Sequence, residues 1–500
     1  FWLSSGAGTC ALTVGGDVSI SGSALLDLAN STGAGTLNIG GSFSQTGGTF
    51  TSNSAVSTVA FTGTGKTFTQ SAGTLTSTNI NWVVNNGASL TLINNLPVAT
   101  TRTVAVNGTL DCSTLAITGA GTAVVNNGGI IKLGSTSASG AVAGNITATG
   151  GLTLNTGSTV EFNGTGAQFV SARTFSNLNI NNSNGVTLLD DVIANNTLTL
   201  SSGILNGATN AKTVTVTNTS ASAVSAGSST RFVEGPLNWS LGTGTYIFPV
   251  GRGTGNYFPF TLALSAASSP VVTVEAFNSD AGVGATFDGT LGSISHTEYW
   301  KATLNSDTFT GKVSLTRVNA LTTEDVIAKS TLQGGTYTSI GGTAASPSIN
   351  NSNDISSFSY FVMATTLTNC PTSTAVAPST DQEVCQGVAT NELTATITNS
   401  GGPGTPTLQY QWYYNTTNSN TVAGATLISG ATSQTYTPLS GAPEVGTRYY
   451  FCVGYAADNG CGQTNATQSL ASNTVKVTVN GSLPVSVTIA AAPGNTICAG

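Results

Sequence analysis

One histidine stands in 500 residues: His296, within Ser295-His-Thr-Glu298 and beside Tyr299-Trp300. General-base chemistry would require a nucleophile and an orienting carboxylate around it. No Gly-x-Ser-x-Gly elbow occurs anywhere in the chain, so we read His296 as a satisfied histidine of a β-sandwich. Carboxylates are the next candidates, because glycoside cleavage needs two acids converging on one cleft. Up to residue 228 the acids are Asp17, Asp27, Asp111, Glu161, Asp190 and Asp191. Only Asp190 and Asp191 are neighbours, and strand alternation points adjacent side chains to opposite faces. Asp280, Asp288, Asp307 and the Glu324-Asp325 pair have the residue type for a structural calcium ion. Their wide spacing favours exposed loop charges, and no metal site is expected.

Ala60-Phe-Thr-Gly-Thr-Gly-Lys66-Thr67 matches a loose phosphate-binding loop. Such a loop works by opening a helix whose N-terminal amides cradle phosphate. Here the sequel Phe68-Thr-Gln-Ser-Ala-Gly-Thr-Leu75 reads as a strand, and a second copy of the phrase has Ala167 in place of Lys66. A β-turn is expected, with no cofactor. The seven cysteines lie at 10, 112, 370, 385, 452, 461 and 498, with no Cys-x-x-Cys. Four of them fall in 370–461, which fits disulfides of an exported domain better than zinc. Four cysteines allow three connectivities, of which we favour Cys385–Cys461 with Cys370–Cys452. Cys10 and Cys112 read as isolated buried thiols. Trp239, Tyr246, Tyr257 and Trp300 could stack on sugar rings if exposed, and are the candidate glycan contacts.

These few groups are set in a chain that is otherwise poor in charge. Asp, Glu, Lys and Arg make up 7% of it, the formal net charge is −7, and hydrophobic residues make up 39%. That apolar share fills several cores and argues against disorder. Thirteen scattered Lys and Arg supply no basic patch for nucleic acid or for an anionic membrane surface. No run approaches the ~18–20 apolar residues of a membrane span.

Residues 1–228 form a series of short alternating segments broken by Gly-Gly, Asn-Gly and Asn-Asn. Examples are Thr36-Leu-Asn-Ile39, Thr103-Val-Ala-Val106 and Asn177-Leu-Asn-Ile180. This is the period-2 pattern of half-buried strands, and no segment carries a sustained helical period. Val59-Ala-Phe-Thr-Gly-Thr-Gly-Lys-Thr-Phe68 recurs as Val160-Glu-Phe-Asn-Gly-Thr-Gly-Ala-Gln-Phe169. Self-similarity with a strand every ~8–12 residues predicts a solenoid, specifically a right-handed parallel β-helix with Asn ladders at its turns. At ~20–25 residues per turn it would be a rod on the order of 45 Å long. A β-sandwich array is the structural alternative.

From 229 to 368 aromatic residues become frequent and strands lengthen, as in Pro270-Val-Val-Thr-Val-Glu-Ala-Phe277. A β-sandwich capping domain is expected there. From 369 to 480, short strands surround Trp412, and Tyr450 precedes Cys452 by two residues, which fits an immunoglobulin-like sandwich. Cys385 lies too far before Trp412 for the antibody-type disulfide. Val384-Cys-Gln-Gly387 is echoed by Ile497-Cys-Ala-Gly500, so 481–500 reads as the start of a further module. We read the whole as an internal piece of a larger protein.

Several phrases carry a resemblance. They include Phe175-Ser-Asn-Leu-Asn-Ile-Asn-Asn182, Leu198-Thr-Leu-Ser-Ser-Gly203, Thr245-Tyr-Ile-Phe-Pro-Val-Gly251, Val384-Cys-Gln-Gly387, Tyr410-Gln-Trp412, Leu427-Ile-Ser-Gly-Ala-Thr-Ser433 and Asn459-Gly-Cys461. Over nearly its whole length the chain resembles the giant, repeat-rich surface proteins of Bacteroidota that leave the cell by the type IX pathway. The resemblance implies an extracellular or cell-surface protein, anchored through a sorting domain elsewhere, and no particular ligand. Together with the composition it leads us to expect a structural or adhesive segment of a surface fibre, without catalysis. Its partners would be further copies or modules of itself and surface polysaccharide. The alternative is a set of carbohydrate-binding modules, or the non-catalytic scaffold of a secreted polysaccharide-degrading enzyme.

Overall fold

The computed structural model describes residues 1–282, 285–288, 290–402, 405–457 and 461–482. Half the chain is strand and 3% is helix, which makes the protein all-β, with a β-solenoid of about ten turns. The chain divides into two compact units: residues 1–288 with 293–365, and residues 289–292 with 366–500.

In the larger unit the short alternating segments stack in parallel, each turn on the one before. One sheet runs in the order Cys10–Val14, Gly35–Ile39, Ser57–Phe61, Ile80–Val84, Thr103–Val106, Thr122–Val125 and Leu152–Leu154. Its register brings Leu37, Val59, Trp82, Val104 and Ala123 into one inward column, each at most 1% exposed. A second parallel ladder does the same with Leu90, Leu110, Ile131, Val160, Leu178 and Leu198. Alternation therefore puts every second residue into a continuous apolar core, each such side chain contributing ~1.5–3 kcal/mol by leaving water. Asparagines stack at the corners: Asn126 donates to Asn107 at 2.8 Å and Asn155 to Asn126 at 2.7 Å. A second run links Asn177, Asn196 and Asn218 at 2.7 and 2.9 Å. At one corner the chain passes so close to the turn beneath that only glycine fits. Gly203 has φ +80°, and a Cβ there would lie 1.7 Å from the Asn182 carbonyl oxygen.

Parallel stacking continues past residue 228. Val214–Val216 pairs with Leu237–Ser240, and Val233–Glu234 pairs with Val250–Gly251, both in parallel. It ends where Val271–Phe277 lies antiparallel on Leu237–Ser240, so that ladder's last strand has a partner on its outer edge. Beyond that point the longer strands of this unit pair antiparallel, and the short Thr286–Phe287 lies parallel to Thr336–Ser339. One sheet contains Gly244–Phe248, Phe260–Ala267, Phe309–Thr316, Ser348–Asn350 and Thr343–Ala345. The other set joins Val271–Phe277, Tyr299–Ser306, Tyr360–Thr366 and Val326–Ser330. One hydrophobic cluster runs without a break from Ile20 to Met363, so the solenoid and the antiparallel strands share a core.

The smaller unit has a three-stranded antiparallel sheet of Pro371–Ala377, Leu393–Asn399 and Thr435–Tyr436. Its five-stranded sheet contains Gln382–Cys385, Val475–Asn480, Gly446–Tyr455, Gln409–Asn415 and Thr426–Leu427, the first pair parallel. Trp412, fully buried, centres the core beside Tyr450 and Val477 and donates its indole N–H to the Ser433 carbonyl at 2.9 Å.

The cysteine pairing differs from both expected bonds. Cys370 bonds Cys461, with 5.5 Å between the Cα atoms, while Cys385 is an exposed thiol and Cys452 a buried one. Sheet geometry gives the reason. Cys452 lies mid-strand with its side chain in the apolar core, where burial pushes the thiol up to about 12. Cys385 ends a strand on the surface. The segments after Cys370 and Cys461 are drawn together instead, Gln463 Nε2 donating to the Pro371 carbonyl at 2.8 Å. In the solenoid Cys112 is buried as expected, but Cys10 is exposed. Most of the further module expected at 481–500, Cys498 included, lies outside the described residues, as does Asn459.

Candidate functional site

The richest chemical grouping is a cleft of about 560 Å³ in the larger unit, lined by Asn256, Asn278, His296, Glu298, Arg317 and Glu324 among others. Its charged groups stand just outside strand ends. Glu298 precedes Tyr299–Ser306, Arg317 follows Phe309–Thr316, and Glu324 precedes Val326–Ser330. Three strands of alternating, largely uncharged sequence thus deliver three charges to one place.

Arg317 is clamped between two carboxylates. Its Nη2 lies 2.9 Å from Glu298 Oε1 and its Nη1 lies 2.6 Å from Glu324 Oε1. The three side chains are 10%, 5% and 12% exposed in the order Arg317, Glu298, Glu324. Ser295 and Thr297 hydroxyls donate to Glu298 at 3.0 and 2.6 Å, and Arg317 also reaches Thr297 Oγ1 at 3.0 Å. Glu324 accepts the Thr322 amide and hydroxyl at 2.9 and 3.0 Å and the Thr323 amide at 3.2 Å. Burial raises the Glu324 carboxyl, but the amide donors and Arg317 outweigh it and hold the group down at about 2. Burial likewise disfavours the Arg317 cation, and the hydrogen bonds and charges of Glu324 and Glu298 overcome this and raise its pKa.

This arrangement saturates itself. A general acid must carry a proton near neutral pH, and a general base must have a free lone pair facing the substrate. Glu324 is ionised well below neutrality with both oxygens engaged, and the Glu298 oxygens are shared among Arg317, Ser295 and Thr297. The chemistry it performs is to neutralise buried charge at the junction of three strands.

His296 is exposed at the rim, and its Nδ1 is satisfied by Asp280 Oδ2 at 3.0 Å. The turn that carries it leaves the ring in solvent, paired with an acid that is itself open to water. The acids of the solenoid are spent locally. Asp17 accepts the Ser42 amide, Asp27 is fully buried and binds Ala29 and Asn53, and Asp111 binds Ser113. Asp190 meets Lys212 at 3.5 Å, while Asp191 accepts the Thr213 amide at 2.8 Å. Among the described residues no three His, Cys, Asp or Glu side chains converge as metal ligands would, and no helix is long and apolar enough to cross a membrane. The Lys66 phrase turns at Gly65, φ +65°, and runs straight into strand Lys66–Thr76, with the Gly65 amide donated to Ser89 Oγ.

The expected glycan contacts need correction. Trp239, Tyr246 and Trp300 are at most 1% exposed and cannot meet a sugar. Trp239 packs edge-on to Tyr246 and Phe248 at 5.1 and 5.4 Å, and Trp300 packs edge-on to Phe258 at 6.1 Å. Their polar atoms are used inside: Trp239 donates to the Asn218 carbonyl, Tyr246 to Thr219 and Trp300 to Phe258. Tyr257 is half-buried against Phe232. Alternation drove these rings inward, as it drives any large apolar side chain on a half-buried strand.

Two groupings escaped the sequence. One is the Glu298–Arg317–Glu324 clamp; the other is Glu161, 7% exposed, which gathers Lys132, Asn179 and Asn181 on the solenoid face. Each joins residues on different strands, and the one available signal is that any charge at a strand end or mid-strand must find a partner in so neutral a chain. Comparison with protein-family models, with curated proteins and with solved structures finds no match.

Proposed function

We propose that this chain is a structural and adhesive segment of an extracellular surface fibre of the Bacteroidota type, and that it works by shape and contact. The observation that carries this reading is how the chain uses its few charges. Its richest constellation locks its own carboxylates around Arg317, while about ten turns of largely uncharged strand build one continuous apolar column. In this reading the parallel β-helix is right-handed and serves as a stiff rod. The antiparallel strands of 229–368 act as a β-sandwich cap, which a solenoid requires to protect its last edge. Residues 369–480 act as an immunoglobulin-like module, a role favoured by the buried Trp412 between two sheets and the Cys370–Cys461 bond. Such a disulfide suits an oxidising, extracellular setting. The fibre would contact further copies of itself and surface polysaccharide.

Immunogold electron microscopy of intact cells, with antibody raised against residues 371–480, tests the proposal. Label spaced along filaments that project from the surface is the expected result. Label confined to the culture fluid or to particles of degraded polysaccharide would overturn it and direct attention to an attached enzyme.

A further inference from the structure

On the outer face of the solenoid, three strands in parallel register bring an amine, a carboxylate and a carboxamide together. Lys132 of Ile130–Leu133 faces Glu161 of Thr159–Phe162, which faces Asn179 of Arg173–Asn181. Lys132 Nζ lies 3.3 Å from Glu161 Oε1, and Asn181 Nδ2 donates to that same oxygen at 2.9 Å. Asn179 Nδ2 holds the other oxygen, Oε2, at 3.0 Å. Glu161 is 7% exposed, so its carboxylate is a largely desolvated bridge between a potential nucleophile and a potential electrophile. The other lysine ion pairs among the described residues, Lys212–Asp190 and Lys476–Asp381, are more open to water.

We propose that Lys132 and Asn181 close an intramolecular isopeptide bond, with Glu161 as the proton carrier. The step balances with the groups present. Glu161 accepts a proton from the Lys132 ammonium, freeing the Nζ lone pair, which attacks Cγ of Asn181. The protonated Glu161 then passes its proton to the Asn181 amide nitrogen, which departs as ammonia when the Cγ–Nδ2 bond breaks. Glu161 takes the remaining surplus proton from Nζ and yields it to the ammonia, which leaves as ammonium. A new Nζ–Cγ amide replaces the primary amide, and no oxidant or cofactor is consumed. Two nitrogens that touch one oxygen are close enough for rotation of the lysine stem to bring Nζ to the ~3–3.5 Å of a near-attack geometry. Release of ammonia to solvent draws the reaction forward. The bond would clamp the first and third of three stacked strands across the second, where a solenoid under tension would otherwise open turn by turn.

Mass spectrometry of the reduced, denatured chain decides it. The expected mass is that of the sequence less one ammonia, with full mass in Lys132→Arg and Glu161→Gln, both checked for native circular dichroism. Trypsin should fail at Lys132 and yield one branched peptide joining residues 103–173 to 174–212, with fragmentation placing the branch at Asn181. Quantitative cleavage at Lys132 would overturn the proposal. So would an ammonia deficit that persists in Lys132→Arg, because a succinimide at asparagine loses the same mass without using the lysine.

Discussion

Arg317 shows how a single side chain governs its surroundings in a charge-poor protein. Replacing it with methionine leaves Glu298 and Glu324 facing each other, 5% and 12% exposed. Breaking such a buried pair costs about 3–5 kcal/mol, so R317M should lower the urea midpoint of the larger unit accordingly. Adding E298Q and E324Q should recover most of the loss, because the orphaned charge and not the missing contact dominates it. Glu324 also sets a pH dependence. Its carboxyl titrates near 2 in the folded chain, below the ~4.3 of an unfolded glutamate. Stability from this group is therefore complete above the unfolded value and lost as pH falls from about 5 toward 2. Denaturation followed across that window should show a decline in the wild type that is much reduced in R317M. At the rim, His296 and its partner Asp280 are open to solvent, and exposed pairs contribute ~0–1 kcal/mol. His296→Ala should leave both stability and cell attachment unchanged; lost attachment would count against the structural reading.

At the scale of the element, each strand is short and gains stability only from its neighbours. Ile131 has Leu110 on one side in the ladder and Val160 on the other, and it is fully buried. Ile131→Ala should cost about 2–5 kcal/mol, because a stacked turn cannot collapse to fill the cavity. Gly203→Ala should cost more than ~1 kcal/mol, since its backbone is left-handed and a Cβ would strike the Asn182 carbonyl oxygen. Equilibrium denaturation of both variants checks these values. In the smaller unit the disulfide ties residues 91 apart in sequence. Its removal in a Cys370→Ser, Cys461→Ser double variant should cost about 2–5 kcal/mol. A thermal melt with and without reductant should reproduce that shift in the wild type and show none in the variant.

For the whole molecule, the sequence carried what depends on local pattern. Alternation of small apolar and polar residues, with glycine and asparagine at regular breaks, determined that the chain is all-β and that a solenoid forms, because period 2 is a property of neighbours along the strand. Scarcity of charge determined that each buried ionised side chain must find a partner within the chain. What depends on register was decided only in three dimensions. The repeated phrases Val59-Ala-Phe61 and Val160-Glu-Phe162 read alike, yet they lie in different sheets of the solenoid. Trp239, Tyr246 and Trp300 read as candidate sugar contacts until pairing turned them inward. Cysteine partners followed which connecting segments met, and the partners of Arg317 and Glu161 followed which strands lay side by side. Sequence sets which face of a strand is apolar through interactions one or two residues long. Contacts between residues tens of positions apart depend on loop lengths and stacking order, and those are settled only when the core closes.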